Sequence, residues 1–140
     1  MDKEVILEFT YSDAWVFVCL CKLEKKKLDF PLIIEIGDAL NHAVFMPKEL
    51  EAALVKLQAS GLILIAENNV NITFFDKSED LITIVKKTSK HKVIETVLEE
   101  LNSKHQKAQK YWDEINPIDF ITDDFLVTAI KEYQKKAPPR

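Results

Sequence analysis

The sequence predicts a mainly helical protein carrying one small β-hairpin, an α+β chain, on three observations. Only two glycines and five prolines stand among its 140 residues, too few turn-formers for a fold of many tight turns. Apolar residues recur at helical spacing through most of the chain. Finally, Asn68-Asn69 separates the short apolar runs "LILIAE" and "VNITFF". That is a two-residue hairpin signal, because asparagine tolerates positive φ.

The totals fit a single domain, residues 1–140, long enough to bury a full core. With 47% hydrophobic and 30% charged residues the composition is globular. A net charge of −4 and a pI of about 5.4 argue against a general nucleic-acid coat but leave room for a local basic patch. The longest apolar run, "AWVFVCLC" at 14–21, is far shorter than the ~20 residues of a membrane span. No basic segment precedes it as in a signal peptide, so a cytoplasmic location without membrane contact is expected. Cys19 and Cys21 point in different directions on a helix. They are read as small buried hydrophobes rather than a disulfide or a metal pair.

Residues 4–9, "EVILEF", fit a strand or a helical turn equally. Ser12 reads as the N-cap, with Asp13 in the first turn, of a helix running to about Lys25. Its apolar character is nearly all-round from Ala14 to Leu20, which makes it the central helix. "LDF" (28–30) is extended ahead of Pro31, and Pro31 suits the first position of a second helix, 31 to about 42. Leu32, Ile33, Ile36 and Leu40 mark its period. After the turn "NHAVF", Pro47 opens a third helix with Leu50, Ala53, Leu54 and Leu57 inward, and Gly61 stops it. Beyond the hairpin, Ser78 with Glu79 and Asp80 begins a helix bearing Leu81, Ile82 and Val85. A long helix from about Lys90 to Glu114 follows, with one apolar stripe from Val93 through Val97, Leu101 and Ala108 to Trp112 and Ile115. Asn116-Pro117 breaks it. Thr122 caps a last helix to about Lys136, with Phe125, Ala129, Ile130 and Tyr133 on its buried side, and 137–140 form a tail.

Helix, short strand, helix, turn, helix, hairpin is an order that residues 12–75 share with the winged helix-turn-helix superfamily. "ELEAALVKLQASGLI" (49–63) is similar to the third helix and first wing strand of MarR- and PadR-type regulators. The resemblance implies a winged-helix core over 12–76 and a helical extension over 78–136 that pairs two copies. A homodimer is therefore expected, with Val93, Val97, Leu101, His105, Ala108 and Trp112 at its interface. The resemblance also implies a third helix lying in the DNA major groove.

The residues of that helix do not favour base reading. With Leu50 and Leu54 inward, the outward ridge is Lys48, Ala52, Val55 and Ala59, with Glu51 and Lys56 beside it. It lacks the Arg, Asn, Gln or Ser that hydrogen-bond base edges. The wing tip "ENNVN" and the following Asp76 offer phosphate nothing, and the chain's single arginine is its last residue, Arg140. The ridge Lys48, Ala52, Val55, Lys56 and Ala59 is read instead as a contact surface for protein. The alternative is a MarR/PadR-like regulator that holds DNA through Lys48 and Lys56 and through phosphate contacts from Lys86, Lys87, Lys90 and Lys92. His105, at the edge of the long stripe, reads as a hydrogen-bonded boundary histidine or as a ligand- or pH-sensing position. His42, His91 and His105 fall in three different elements without zinc spacing, and neither a glycine-rich phosphate loop nor a nucleophile elbow is present. A non-enzymatic protein, with no catalytic or metal residues and no cofactor, is expected.

Overall fold

The first helix, α1 (Tyr11–Cys21), is the axis of the fold: every residue from Asp13 to Leu20 is buried. An all-round apolar helix is stable only when neighbours surround it, and here α2 (Phe30–Asn41), α3 (Pro47–Ala59), α4 (Glu79–Lys87) and α5 (Val93–Lys104) all pack on it. This computed structural model describes residues 6–66 and 71–109, together with Thr128, Lys131 and Lys135. Those last three are helical and exposed, at the spacing of one helix face; the rest of the expected final helix lies outside the described residues.

The ends of α1 differ from the sequence reading. Its N-cap is Thr10, not Ser12, in a reciprocal capping box. Thr10 Oγ1 accepts from the Asp13 amide at 3.3 Å, while the Asp13 carboxylate accepts from the Thr10 amide at 2.8 Å. Ser12 is left free to donate to the Glu49 carboxylate of α3. At the other end the helix stops at Cys21, short of Lys25. The Lys26 ammonium folds back to donate to the Cys21 and Leu23 carbonyls at 3.2 and 3.0 Å. A cation thus serves the last turn from outside it, where it also meets the negative end of the helix dipole.

Asp29 caps α2, accepting from the Leu32 amide at 3.1 Å, and His42 ends that helix in the left-handed region at φ 52°. In the turn that follows, Phe45 stacks on Trp15 with ring centroids 3.7 Å apart, and Trp15 Nε1 donates to the Gly37 carbonyl at 3.0 Å. Helix α3 buries Leu50, Ala53, Leu54 and Leu57 as expected and ends before Gly61, which takes φ 78°. Strands β1 (Ile63–Ile65) and β2 (Ile72–Phe74) pair antiparallel, Ile63 opposite Phe74 and Ile65 opposite Ile72. The Asn68-Asn69 turn lies outside the described residues. On the far side of β2 the chain leaving α1 joins as well. Lys27 bridges Asn71 antiparallel, and the Ile72 amide donates to the Lys26 carbonyl at 2.7 Å. Three extended segments therefore lie side by side, with β2 in the middle.

A short 3-10 turn, Asp76–Ser78, leads into α4, and α5 follows it. The single long helix expected from about Lys90 to Glu114 is not formed: α5 ends at Lys104. Residues 102–107, "NSKHQK", carry no large apolar side chain to continue the helix's apolar stripe into the core. Here the chain becomes extended and takes backbone partners elsewhere. Gln106 accepts from the Leu7 amide at 2.6 Å, Lys107 bridges Ile6, and the Gln109 amide donates to the Ala59 carbonyl at 2.7 Å. The Asn102 side chain grips Phe9 at both its backbone groups, accepting from the amide at 3.0 Å and donating to the carbonyl at 3.1 Å. Residues 6–9 are thus an extended strap with Leu7 and Phe9 turned inward.

Val93, Val97 and Leu101, expected at a dimer interface, are fully buried in this chain's own core. The stripe is the right one, but α1 and α4 cover it, so it has no surface left to offer a second copy. Ala108 is partly buried against the same core, and Trp112 lies outside the described residues. Among the described residues, no helix is long and apolar enough to cross a membrane.

Candidate functional site

The outward side of α3 is small and electrically mixed. Lys48, Glu51 and Ala52 are exposed and Val55 is half-buried. The far end of the expected ridge is not a surface at all. Ala59 is completely buried, with Gln109 bonded to its carbonyl. The Gln109 side chain also lies over Gly61, where an added Cβ would meet its Cγ at 2.9 Å. Lys56 is committed too: its ammonium lies 2.8 Å from Asp13 Oδ2 and donates to the Glu8 carbonyl at 3.2 Å. Of the ridge Lys48, Ala52, Val55, Lys56 and Ala59, only the first half therefore faces outward. The strap at 6–9 and the segment after α5 cover the rest, for the physical reason that an apolar strip beside the core is cheapest to shield with the chain's own backbone.

Cationic charge collects elsewhere. Lys86, Lys87, Lys90 and Lys92 are all exposed, at the end of α4 and in the loop to α5. Helix α4 packs on α1, and Lys86 is within electrostatic reach of Cys21 at the end of α1. Burial pushes the Cys21 thiol up to about 12, against the opposing pull of Lys26, Lys22 and Lys86; burial likewise raises the Cys19 thiol. Lys22, Lys26 and Lys86, far apart in sequence, thus form a basic pole at that end of α1. Helix α1 is 11 residues, or ~16 Å, long, and Ser12 and Asp13, which Glu49 and Lys56 of α3 engage, lie at its opposite end. None of the four lysines read as phosphate contacts belongs to the third helix.

Next to that pole a groove of about 820 Å³ opens between the loop after α1 and the first turns of α2. Leu28, Pro31, Leu32 and Ile36 form its apolar wall, and Lys22, Lys25 and Lys27 line its edge. Glu24 and Asp29 are there as well, but Asp29 is occupied in capping α2. Leu32 stays 36% exposed, a large side chain at the mouth of an open cleft. Sequence reasoning missed this site because it placed Lys22 and Lys25 within the first helix and read Leu32 and Ile36 only as the apolar period of the second. The juxtaposition of "KLEKKK" (22–27) with "LDFPL" (28–32) was the available signal.

His105 sits at the C-terminal end of α5, only 7% exposed, and neither ring nitrogen has a protein partner among the described residues. Burial lowers its pKa, and Lys77 adds to the effect. The hydrogen bond expected of a boundary histidine is not made among the described residues. His42 and His91 are exposed in other parts of the fold. Among the described residues, no three His, Cys, Asp or Glu side chains gather closely enough to hold a metal ion.

No protein-family model, curated protein or solved structure matches this chain.

Proposed function

We propose that this chain is a winged helix-turn-helix scaffold used for protein contact, a non-enzymatic interaction or regulatory module. The scaffold assignment is supported by the element order through β2 and, above all, by the Lys27–Asn71 bridge. That bridge sets the segment between the first two helices against the hairpin, the pairing a three-stranded wing sheet needs. The observation that carries the functional reading is the state of α3. Its exposed side chains are Lys48, Glu51 and Ala52, while Lys56, its other lysine, is held by Asp13. A helix that reads bases presents several bidentate donors or acceptors to the groove, and this one offers only the Lys48 and Glu51 side chains. The free thiols of Cys19 and Cys21 are compatible with a reducing compartment such as the cytoplasm. A homodimer, if formed, uses surfaces other than the buried Val93–Leu101 stripe.

The second reading, a DNA-binding regulator, is favoured by one observation. Lys86, Lys87, Lys90 and Lys92 are exposed, and no ion pair engages them among the described residues. A salt titration of duplex DNA binding separates the two. The interaction-module reading expects no measurable binding at ~50 mM salt. A log–log slope near −3 to −4, roughly what four phosphate contacts give, together with preference for one duplex sequence, overturns it.

A further inference from the structure

We infer that the groove between the end of α1 and the start of α2 is a docking site for an acidic, amphipathic segment of a partner protein, an inference that rests on the protein-contact reading above. The site combines two demands that one ligand chemistry meets together. Its wall, made by Leu28, Leu32 and Ile36 with Pro31 at the helix start, gains only from apolar anchors, because a wet apolar wall is what the hydrophobic effect removes. Its edge carries Lys22, Lys25 and Lys27, and among the described residues no ion pair neutralises them.

The neighbouring charges strengthen the preference for acid. Glu24 and Asp29 lie on the same groove, which leaves it only one positive charge in excess, three lysines against two carboxylates. Lys86 of α4 adds one more positive charge near the end of α1, where it acts on Cys21 together with Lys22 and Lys26. Lys26 itself is turned away onto the α1 carbonyls and the Phe74 ring. In a chain of net charge −4, such a pole steers an acidic partner toward one face. Nucleic acid would satisfy the lysines but leave Leu32 and Ile36 in water. A neutral apolar peptide would do the reverse.

The lysines and the apolar wall are separable in one titration. The probe is a fluorescent synthetic peptide with leucine at helical spacing on a glutamate background. Its comparison probes are the same peptide with glutamine for glutamate, polyglutamate without leucine, duplex DNA, and phosphatidylglycerol vesicles. The intact chain is expected to bind the Glu/Leu peptide, and to bind the glutamine peptide and polyglutamate about tenfold more weakly or worse. The Lys22→Glu/Lys25→Glu/Lys27→Glu variant should lose a similar factor. Leu32→Asp, a change at an exposed position, should lose it independently. In amide NMR spectra of the native chain the peptide should shift Leu28, Leu32 and Ile36 and leave Ala52 unmoved, a readout that needs no variant to fold. No binding, equal binding of the glutamine peptide, tighter binding of DNA or vesicles, or shifts confined to α3 would each overturn the docking site. Failure here with no DNA binding leaves the protein-contact reading standing. Sequence-selective DNA binding removes both.

Discussion

The Lys56 ammonium lies 2.8 Å from the Asp13 carboxylate, and the Asp13 side chain is 2% exposed. One contact thereby decides two questions. It ties the end of α3 to the start of α1, and it withdraws from the surface a lysine that the third helix would otherwise offer. Asp13 already accepts from the Thr10 amide, and Lys56 also reaches the Glu8 carbonyl, so three parts of the chain converge on this pair.

Removing one partner of a buried pair leaves the other charge desolvated, at a cost of about 3 kcal/mol or more. Lys56→Met should therefore lower unfolding stability by about that amount, whereas Lys48→Met, on the same helix but exposed, should change it by less than about 0.5 kcal/mol. Denaturant titration of both variants measures the contrast. Equal small effects would mean that the pair contributes nothing to the fold.

Gly37 makes room for the turn between α2 and α3. A Cβ built there would sit 2.5 Å from Phe45 Cε2, and Phe45 is fixed in turn by its stack on Trp15. Gly37→Ala should destabilise the protein by about 1–3 kcal/mol, the usual range for overpacking, despite alanine's better helix propensity. Thermal melting checks it, and the loss should shrink in the double variant Gly37→Ala/Phe45→Leu, where the ring is gone. Additive losses would place the strain elsewhere.

His105 gives the fold a pH dependence of known sign. Its folded pKa lies below the ordinary value of 6.5, chiefly because burial disfavours the charged ring, with Lys77 and Lys104 adding to that and Glu100 and Asp80 opposing it. The unfolded chain then binds the proton more tightly than the native chain. Stability is full above the ordinary value and falls as pH drops from about 6.5 toward the lower folded value. His105→Leu should flatten that part of the stability–pH curve relative to the native protein, measured by denaturant midpoints at successive pH values. A native curve that rises on acidification through this window would contradict the assignment.

Local signals carried most of the helices and strands. Pro47 and Gly61 bracket α3 because one fixes a starting φ and the other takes a positive φ at the end. The all-round apolar run from Ala14 to Leu20 marked the helix that everything else surrounds. The capping residue was misplaced by two positions, since Thr10 and Ser12 are chemically alike; Asp13, three residues after Thr10, was the sign that distinguished them. The long helix was overcounted because periodicity registers apolar spacing and is blind to a competing partner. Ala108 keeps the period, but the backbone before it is drawn off to pair with residues 6 and 7.

By itself, then, the sequence determined that this is a helical chain with one hairpin, which helix is central, and which side of each helix is apolar. Those properties are set by spacing and by neighbours within a few residues. Tertiary structure alone decided what covers each apolar side. It closed the Val93–Leu101 stripe over α1 and buried Ala59 beneath the chain after α5. It also brought Lys86 toward the lysines of 22–27, next to an open groove. Periodicity records that a surface prefers to leave water, but the partner that removes it is fixed only by contacts between segments distant along the chain.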